Sequence, residues 1–375
     1  MKIVLAPDKF KNSLTGMEFC DAVEKGFQKV LSNYDIVKLP LADGGDGTIE
    51  VANYYLKGHT ISLTVNNPFF QPIQASYLYA ETSKTAFIEM AEASGVKLLK
   101  LEQFDCKNAT TLGTGELILD AVERGAKTII LGIGGSATND CGIGMASALG
   151  YRFLDKDANE VIPIGANLKS ITTIDTSKVH PKLSDDVNFN IACDVTNPLY
   201  GKNGAAYVYA AQKGATSEDI KMLDSGLKHF ASLIEGVFGI NPQLISGAGA
   251  AGGMGIASKV FLKGHLKPGI ELVKVLANFD SSIEDADWII TGEGKLDTQT
   301  LSGKTIKGVL DSAKAKQIKV AAFCGGIDLE GKSSKEFGLE YTDAVMNYAK
   351  NLDDAMANSY KYVEKMAVKF AQSML

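Results

Sequence analysis

The stretch TIILGIGGSATNDCGIGM, residues 128–145, constrains this chain more than any other. An apolar run passes directly into a turn with almost no side chains and then into a polar segment. Thr128 to Leu131 has the unbroken apolar character of a buried strand. Gly132, Gly134 and Gly135 let the backbone leave that strand through conformations and close approaches that a Cβ would obstruct. Ser136, Thr138, Asn139 and Asp140 follow, where a helix beginning at that point would expose its unpaired N–H groups. Such a site suits a phosphate, although the same strand, turn and cap form the ordinary connection of any α/β protein. Comparable Gly and polar clusters recur at ADGGDGT (42–48), GTGE (113–116), SGAGAAGGMG (246–255) and TGEGKLDTQTLSGKT (291–305). This repetition favours the binding reading, with the five bends converging on one site.

Along the chain, Ile3 to Ala6 predicts a first strand, left by the loop PDKFKNSLTG. A capping box at Thr15 and Glu18 opens a helix carrying Cys20, Val23, Phe27 and Val30 at helical spacing. A second βα unit follows, with Ile36 to Leu39 as strand and Ile49 to Leu56 as helix. From Thr60 the pattern changes to short alternating segments, ISLTV, ASYLYA and AFIEM, with NNPFFQP as a turn between the first two, which predicts an antiparallel hairpin. Helical patterns at 112–124 and 141–150 and strands at 128 and 189–195 continue that region. From Asp287 the βα rhythm returns, with DWIIT and VAAFC as strands, Lys304 to Ala313 as helix, an extended segment near Asp343 to Met346, and one long amphipathic helix over Leu352 to Phe370.

The expected fold is α/β. A Rossmann-like parallel-sheet domain is built from both chain ends (1–59 and 286–375), a second mixed α/β domain (60–285) is inserted, and the site is expected in the cleft between them. A length of 375 residues accommodates two cores.

Charge and cysteine usage narrow the function. With 38 Lys plus Arg against 44 Asp plus Glu, the net charge of −6 argues against nucleic acid as partner. Arg occurs only at 124 and 152, so anion recognition has to lean on Lys and backbone amides. Five scattered cysteines without a CxxC pair fit thiols in a reducing compartment, and the expected location is the cytoplasm. No run approaches the ~18 apolar residues of a membrane helix.

Several loops carry candidate chemistry. Asp8, Lys9, Lys11, Asn12 and Ser13 leave the first strand and can hold a phosphate or a small carboxylate, or form a solvated loop before a capped helix. Asp43 and Asp46 flank Gly44 and Gly45. With Asp194 they can serve a metal or a proton transfer, or they form an Asx-type turn. Asp194 ends an apolar strand, where a carboxylate is costly unless paired or used, and Lys213 downstream can neutralise phosphate. Glu293 and Asp297 follow the strand DWII and suit Mg²⁺. SGKT (302–305) imitates the end of a Walker motif but lacks the first Gly, which excludes a P-loop. GIGGSA matches the loose dinucleotide fingerprint, with Asp155 near the position of the ribose acid, so an NAD(P)-dependent oxidoreductase is one alternative. A non-catalytic nucleotide-binding module is another, but it leaves the carboxylates at 43, 194, 293 and 297 unexplained. A phosphotransferase uses positioning amides, Lys and metal-holding carboxylates with little demand for His or Cys, and the chain is rich in those.

In order and in register, the motifs resemble the type I glycerate kinases of bacteria. They are APDKFKNSL (6–14), PLADGGDGT (40–48), MAEASGVKLL (90–99), TTLGTGELI (110–118), GIGGSATNDCGIGM (132–145), CDVTNPLYG with GAAYVYAAQKGA (193–215), GAGAAGGMG (247–255) and ITGEGKLDTQTLSGK (290–304). The resemblance implies ATP- and Mg²⁺-dependent phosphorylation of D-glycerate, typically on the 2-hydroxyl, by two α/β domains. Asn12 and Cys141 stand where the family usually has Gly, Asp46 where it has Glu, and Ile306 where it has Pro.

Combined with the resemblance, the expected roles are these. Lys9 or Lys11 holds the glycerate carboxylate, Asp194 takes the hydroxyl proton, and Glu293 and Asp297 hold Mg²⁺. Gly134, Gly135, Ser136 and Lys213 stabilise phosphate, while Asp8, Ser13, Asp43, Asn139 and Asp140 orient substrate. The expected assembly is a monomer or small homo-oligomer.

Overall fold

The computed structural model describes residues 1–45, 47–183, 186–297 and 305–375. Two compact units divide the chain, one made of Met1–Tyr55 with Ile270–Leu375 and the other of Leu56–Gly269.

The terminal unit is organised on a wholly parallel five-stranded sheet. Its strands lie in the order Tyr341–Ala344, Lys319–Cys324, Trp288–Thr291, Lys2–Leu5, Asp35–Lys38. Numbered along the chain this is 2-1-3-4-5, a doubly wound order whose direction reverses between the first and third strands. Ile3, Val4 and Leu5 on one side of the central strand Trp288–Thr291, and the run from Val320 to Cys324 on its other side, are buried, as a sheet covered on both faces demands.

Helix Gly16–Phe27 begins at the expected capping box. Thr15 Oγ1 accepts the Glu18 N–H, and Glu18 accepts the Thr15 N–H. It packs against helix Ser359–Ser373 so closely that a Cβ on Gly26 would stand 2.6 Å from that of Ala367. Phe370 on the latter helix meets Trp288 at 5.0 Å, Tyr341 at 4.8 Å and Phe323 at 5.7 Å between ring centroids. The segment 270–285, expected in the inserted domain, contributes Ile270, Val273, Ala277 and Phe279 to the terminal unit's core beside Val4, Ile289 and Val309. The single helix expected over 352–370 is instead two, Leu352–Ala357 and Ser359–Ser373. Asp354 gathers the Lys350 N–H, the Asn358 amide and the Tyr362 hydroxyl, and this knot holds the break.

The inserted unit has a six-stranded mixed sheet ordered His265–Lys267, Asn188–Ala192, Thr128–Gly132, Thr85–Glu89, Pro72–Ala80, His59–Asn66. The first four strands are parallel and the last two pairings antiparallel; Pro72–Ala80 with His59–Asn66 is the hairpin expected from the alternating segments, and Thr85–Glu89 extends it. The chain therefore combines a Rossmann-like parallel-sheet unit made from both ends with an inserted mixed α/β unit. Among the described residues no helix is long and apolar enough to cross a membrane.

Phe370 is 1% exposed and joins the last helix to three strands of the terminal sheet. Phe370→Ala is expected to cost about 3–5 kcal/mol, read as a lowered urea midpoint for the transition that exposes Trp288.

Candidate functional site

At the carboxyl edge of the terminal sheet, two loops run side by side because their strands pair. Ala6 N–H donates to Ile290 O and Asp8 N–H to Gly292 O, each at 2.8 Å, and Thr291 Oγ1 donates to Ala6 O at 2.8 Å. Asp8 is the central carboxylate here. It accepts the Lys9 N–H at 2.7 Å and the Thr305 hydroxyl at 2.5 Å. Burial, reinforced by the neighbouring Asp43 carboxylate, pushes it up to about 6 against the hydrogen bond from Thr305. Asp43 caps its own turn by accepting the Gly45 N–H at 3.0 Å, the Asx arrangement that Asp-Gly sequences favour. Gly47 has φ 88°, and a Cβ there would stand 2.8 Å from Lys9 Nζ, so the lysine lies across this turn. Asp46 falls outside the described residues.

The other expected residues of this unit are distributed as follows. Glu293 is 9% exposed, and its carbonyl accepts the Gly325 N–H. Asp297 lies on the short strand Lys295–Asp297, 3.6 Å from Lys295 Nζ. Lys11 is exposed. Ser13 donates to Met356 O at 3.1 Å and shares a short hydrogen bond with Ser359, which ties its loop to the C-terminal helices. Thr305 was visible in the sequence only as the last residue of the rejected SGKT motif. Residues 298–304 fall outside the described residues.

The inserted unit carries a second polar cluster. Gly132 pairs in register with Ala192, so the loops that follow both strands leave at one edge. The helix expected over 141–150 is Ile143–Ala148, and Ser136 to Asp140, expected beside its unpaired N–H groups, precede it. Long-range bonds hold the intervening chain in an irregular path: Ala137 N–H donates to Ser94 O, Val96 N–H to Gly135 O, and Cys141 N–H to Gly252 O. The helix that follows in sequence therefore does not begin at the glycine turn. Lys213 supplies the positive charge instead, donating to Ser136 Oγ at 2.6 Å and to Thr138 O at 2.9 Å. It is buried, and desolvation lowers its ammonium to about 8.

Asn139 and Asp140 are both fully buried and are bonded in opposite ways. Asp140 accepts from Thr111 N–H at 2.9 Å, Thr111 Oγ1 at 2.7 Å, and the Gly142 and Gly144 N–H groups at 3.2 Å. It holds the loop together, and burial still raises its pKa. Neither Oδ1 nor Nδ2 of Asn139, nor Thr138 Oγ1, has a hydrogen-bond partner among the described residues. Buried polar atoms in this condition suit contact with a ligand or a water. Gly134 and Gly135, earlier in the same loop, are exposed.

Asp194 accepts the Gly269 N–H at 2.9 Å but is solvent-exposed, so the burial argument that singled it out does not apply. Two of the glycine clusters serve packing. A Cβ on Gly115 would stand 2.3 Å from Met145 O, and one on Gly252 2.2 Å from Thr138 O. The dinucleotide reading fails on Asp155, which caps an exposed turn after strand Arg152–Leu154, paired antiparallel with Thr173–Asp175 outside the main sheet.

A sequence model described as the Glycerate kinase family matches residues 3–375. The chain belongs to the glycerate kinase family. It is 40% identical over 374 residues to "Glycerate kinase" of Bacillus subtilis, covering 100% of this chain and 98% of that protein. It is equally 40% identical over 374 residues, with the same coverage, to "Glycerate 2-kinase" of Escherichia coli. Its fold matches the crystal structure of a putative glycerate kinase 2 from Salmonella typhimurium with a TM-score of 0.89 and 39% identity, covering 100% of this chain and 98% of that one. A glycerate kinase is an ATP-dependent phosphotransferase, and the two polar edges have the composition that reaction asks for. Among the described residues no three His, Cys or carboxylate side chains are grouped to cage a metal ion. Mg²⁺ asks for less, since one or two hard carboxylate oxygens complete its shell with phosphates and water, and Glu293 and Asp297 are donors of that kind.

The contrast between neighbours is testable. Asn139→Leu removes two unpartnered buried atoms, so the melting temperature is expected to hold or rise while kinase activity is largely lost. Asp140→Ala strands four donors and is expected to cost about 2–5 kcal/mol, seen as a lower melting temperature in the same assay.

Proposed function

We propose that this glycerate kinase transfers the γ-phosphoryl group of ATP to the 2-hydroxyl of D-glycerate, giving 2-phosphoglycerate. The observation that carries the reading is the full-length family match, joined to 40% identity with a relative named for the 2-kinase reaction.

The buried cluster of the inserted unit takes the glycerate. One ammonium group, an unpartnered amide and two hydroxyls match a small acid with one carboxylate and two hydroxyls better than they match a polyanionic triphosphate. This assigns Lys213, Ser136 and Asn139 to the substrate, with Gly134 and Gly135 as the bare entrance. Lys9 and Lys11, on the terminal unit, neutralise phosphate charge. Glu293 and Asp297 would hold Mg²⁺, which when bound offsets charge on the β- and γ-phosphates.

Asp8 replaces Asp194 as the proposed proton acceptor. Its carboxylate is raised to about 6 and fixed by Thr305, while Asp194 is exposed to water. A base with a pKa near the working pH accepts a proton most effectively.

Product ³¹P NMR from D-glycerate and Mg-ATP tests the reaction, with the 2-phosphate resonance expected. A 3-phosphate signal would overturn the regiochemistry. The kcat/KM profile is expected to be bell-shaped. It falls below about pH 6 as Asp8 gains a proton and can no longer accept one, and above about pH 8 as Lys213 loses the charge that holds the carboxylate. Asp8→Asn is expected to lower kcat by roughly 10²–10⁴-fold and remove the acidic limb. Asp194→Asn is expected to keep both, and the reverse outcome would restore Asp194 as the base.

A further inference from the structure

The terminal unit contains a cavity of about 540 Å³ with no role in the account above. It opens at the carboxyl edge of the 2-1-3-4-5 sheet. The loops after the first, third, fourth and fifth strands all contribute to its lining, through Phe10, Gly294, Gly326 and Val345 respectively. The first two of those loops flank the point where strand order reverses, the position at which open α/β sheets bind ligands.

We propose that this cavity holds the adenosine portion of the nucleotide. The inference rests on the kinase reading and deepens it by locating the base. Its walls are mainly apolar, with Phe10, Ile327, Val345 and Met356 among them. Met346, Leu352 and Met356 remain 42%, 64% and 38% exposed around it, a concentration of uncovered apolar side chains within one lining. Glycerate does not fit such a surface, since each of its three carbons bears oxygen and an apolar wall would strand those groups. A purine presents two flat apolar faces, and the volume lies within the range of small-molecule sites. Phe10 offers the base an aromatic contact and the methionines a polarisable one. Lys11, a lining residue with an exposed side chain, supplies positive charge for the phosphates beyond the ribose, while Lys295, the lining's other lysine, is shared with Asp297 at 3.6 Å and Asp328 at 3.8 Å.

Gly326 gives direct access to the cavity. A Cβ there meets only Met346 Cγ, at 3.9 Å, so a larger side chain can grow into the space without displacing backbone. The test is titration calorimetry of ADP, without glycerate, against wild type, Gly326→Leu and Met356→Trp, with inorganic tripolyphosphate as a ligand that has no base. ADP is expected to bind at least tenfold more weakly to both variants, with tripolyphosphate affinity unchanged. Steady-state assays are expected to show a matching rise in KM for ATP and an unchanged KM for glycerate. ADP affinity within twofold of wild type in either folded variant overturns the assignment, and Met356→Trp carries the test alone if Gly326→Leu melts early. Because ADP binding is read without the reaction, loss of the glycerate reading would show separately, as wild type that binds ADP but leaves glycerate unphosphorylated.

Discussion

The parallel pairing of Lys2–Leu5 with Trp288–Thr291 is the contact on which the terminal unit depends. Parallel strands leave a sheet in the same direction, so this single register, Ile3 on Trp288 and Leu5 on Ile290, forces the chain after Leu5 to run beside the chain after Thr291. Asp8 and Glu293 become neighbours through that geometry although 285 positions separate them in sequence. The reversal of strand order falls between the same two strands, so the edge where loops diverge and a ligand has room is also the edge where the charged residues collect.

Electrostatics in the two units follow one rule with opposite signs. Desolvation raises the Asp8 carboxyl and lowers the Lys213 ammonium, moving both towards the neutral form. Each group is thereby poised within about a unit of neutrality, where gaining or losing charge is inexpensive. Asp140 shows the alternative use of a buried carboxylate, surrounded by donors and committed to holding a loop. Asn139 next to it is buried to the same extent with its amide unspent, and that difference separates a framework residue from a candidate contact.

The sequence was most legible where structure is set locally. The capping box at Thr15, the apolar strands and the alternating hairpin segments appear where spacing puts them, since period and caps act over a few residues. Two of the departures from the family pattern were also informative, since Asn12 and Cys141 adopt φ of 60° and 51°, the left-handed backbone that Gly fills without strain. Sequence reading failed where distant partners decide. Ser136 to Cys141 reads as a helix start, but bonds to Ser94 and Gly252 draw it out. The strand expected over 189–195 ends at Ala192, so Asp194 lies beyond it with its side chain exposed. The hydroxyl of Thr305 reaches Asp8 across 297 positions, a contact no local pattern encodes.

A terminal unit assembled from both ends also sets an order of birth. Residues 56–269 are contiguous and can close their own core while residues 270–375 are still to be added. Throughout that interval Lys2–Leu5 lacks Trp288–Thr291, and helix Gly16–Phe27 lacks the C-terminal helix that covers it. The nascent protein thus carries an apolar, half-built sheet until residues 288–373 have been added. Its exposure to holdase chaperones and to aggregation falls on that window, whereas the inserted unit needs no residue beyond 269 to close its core.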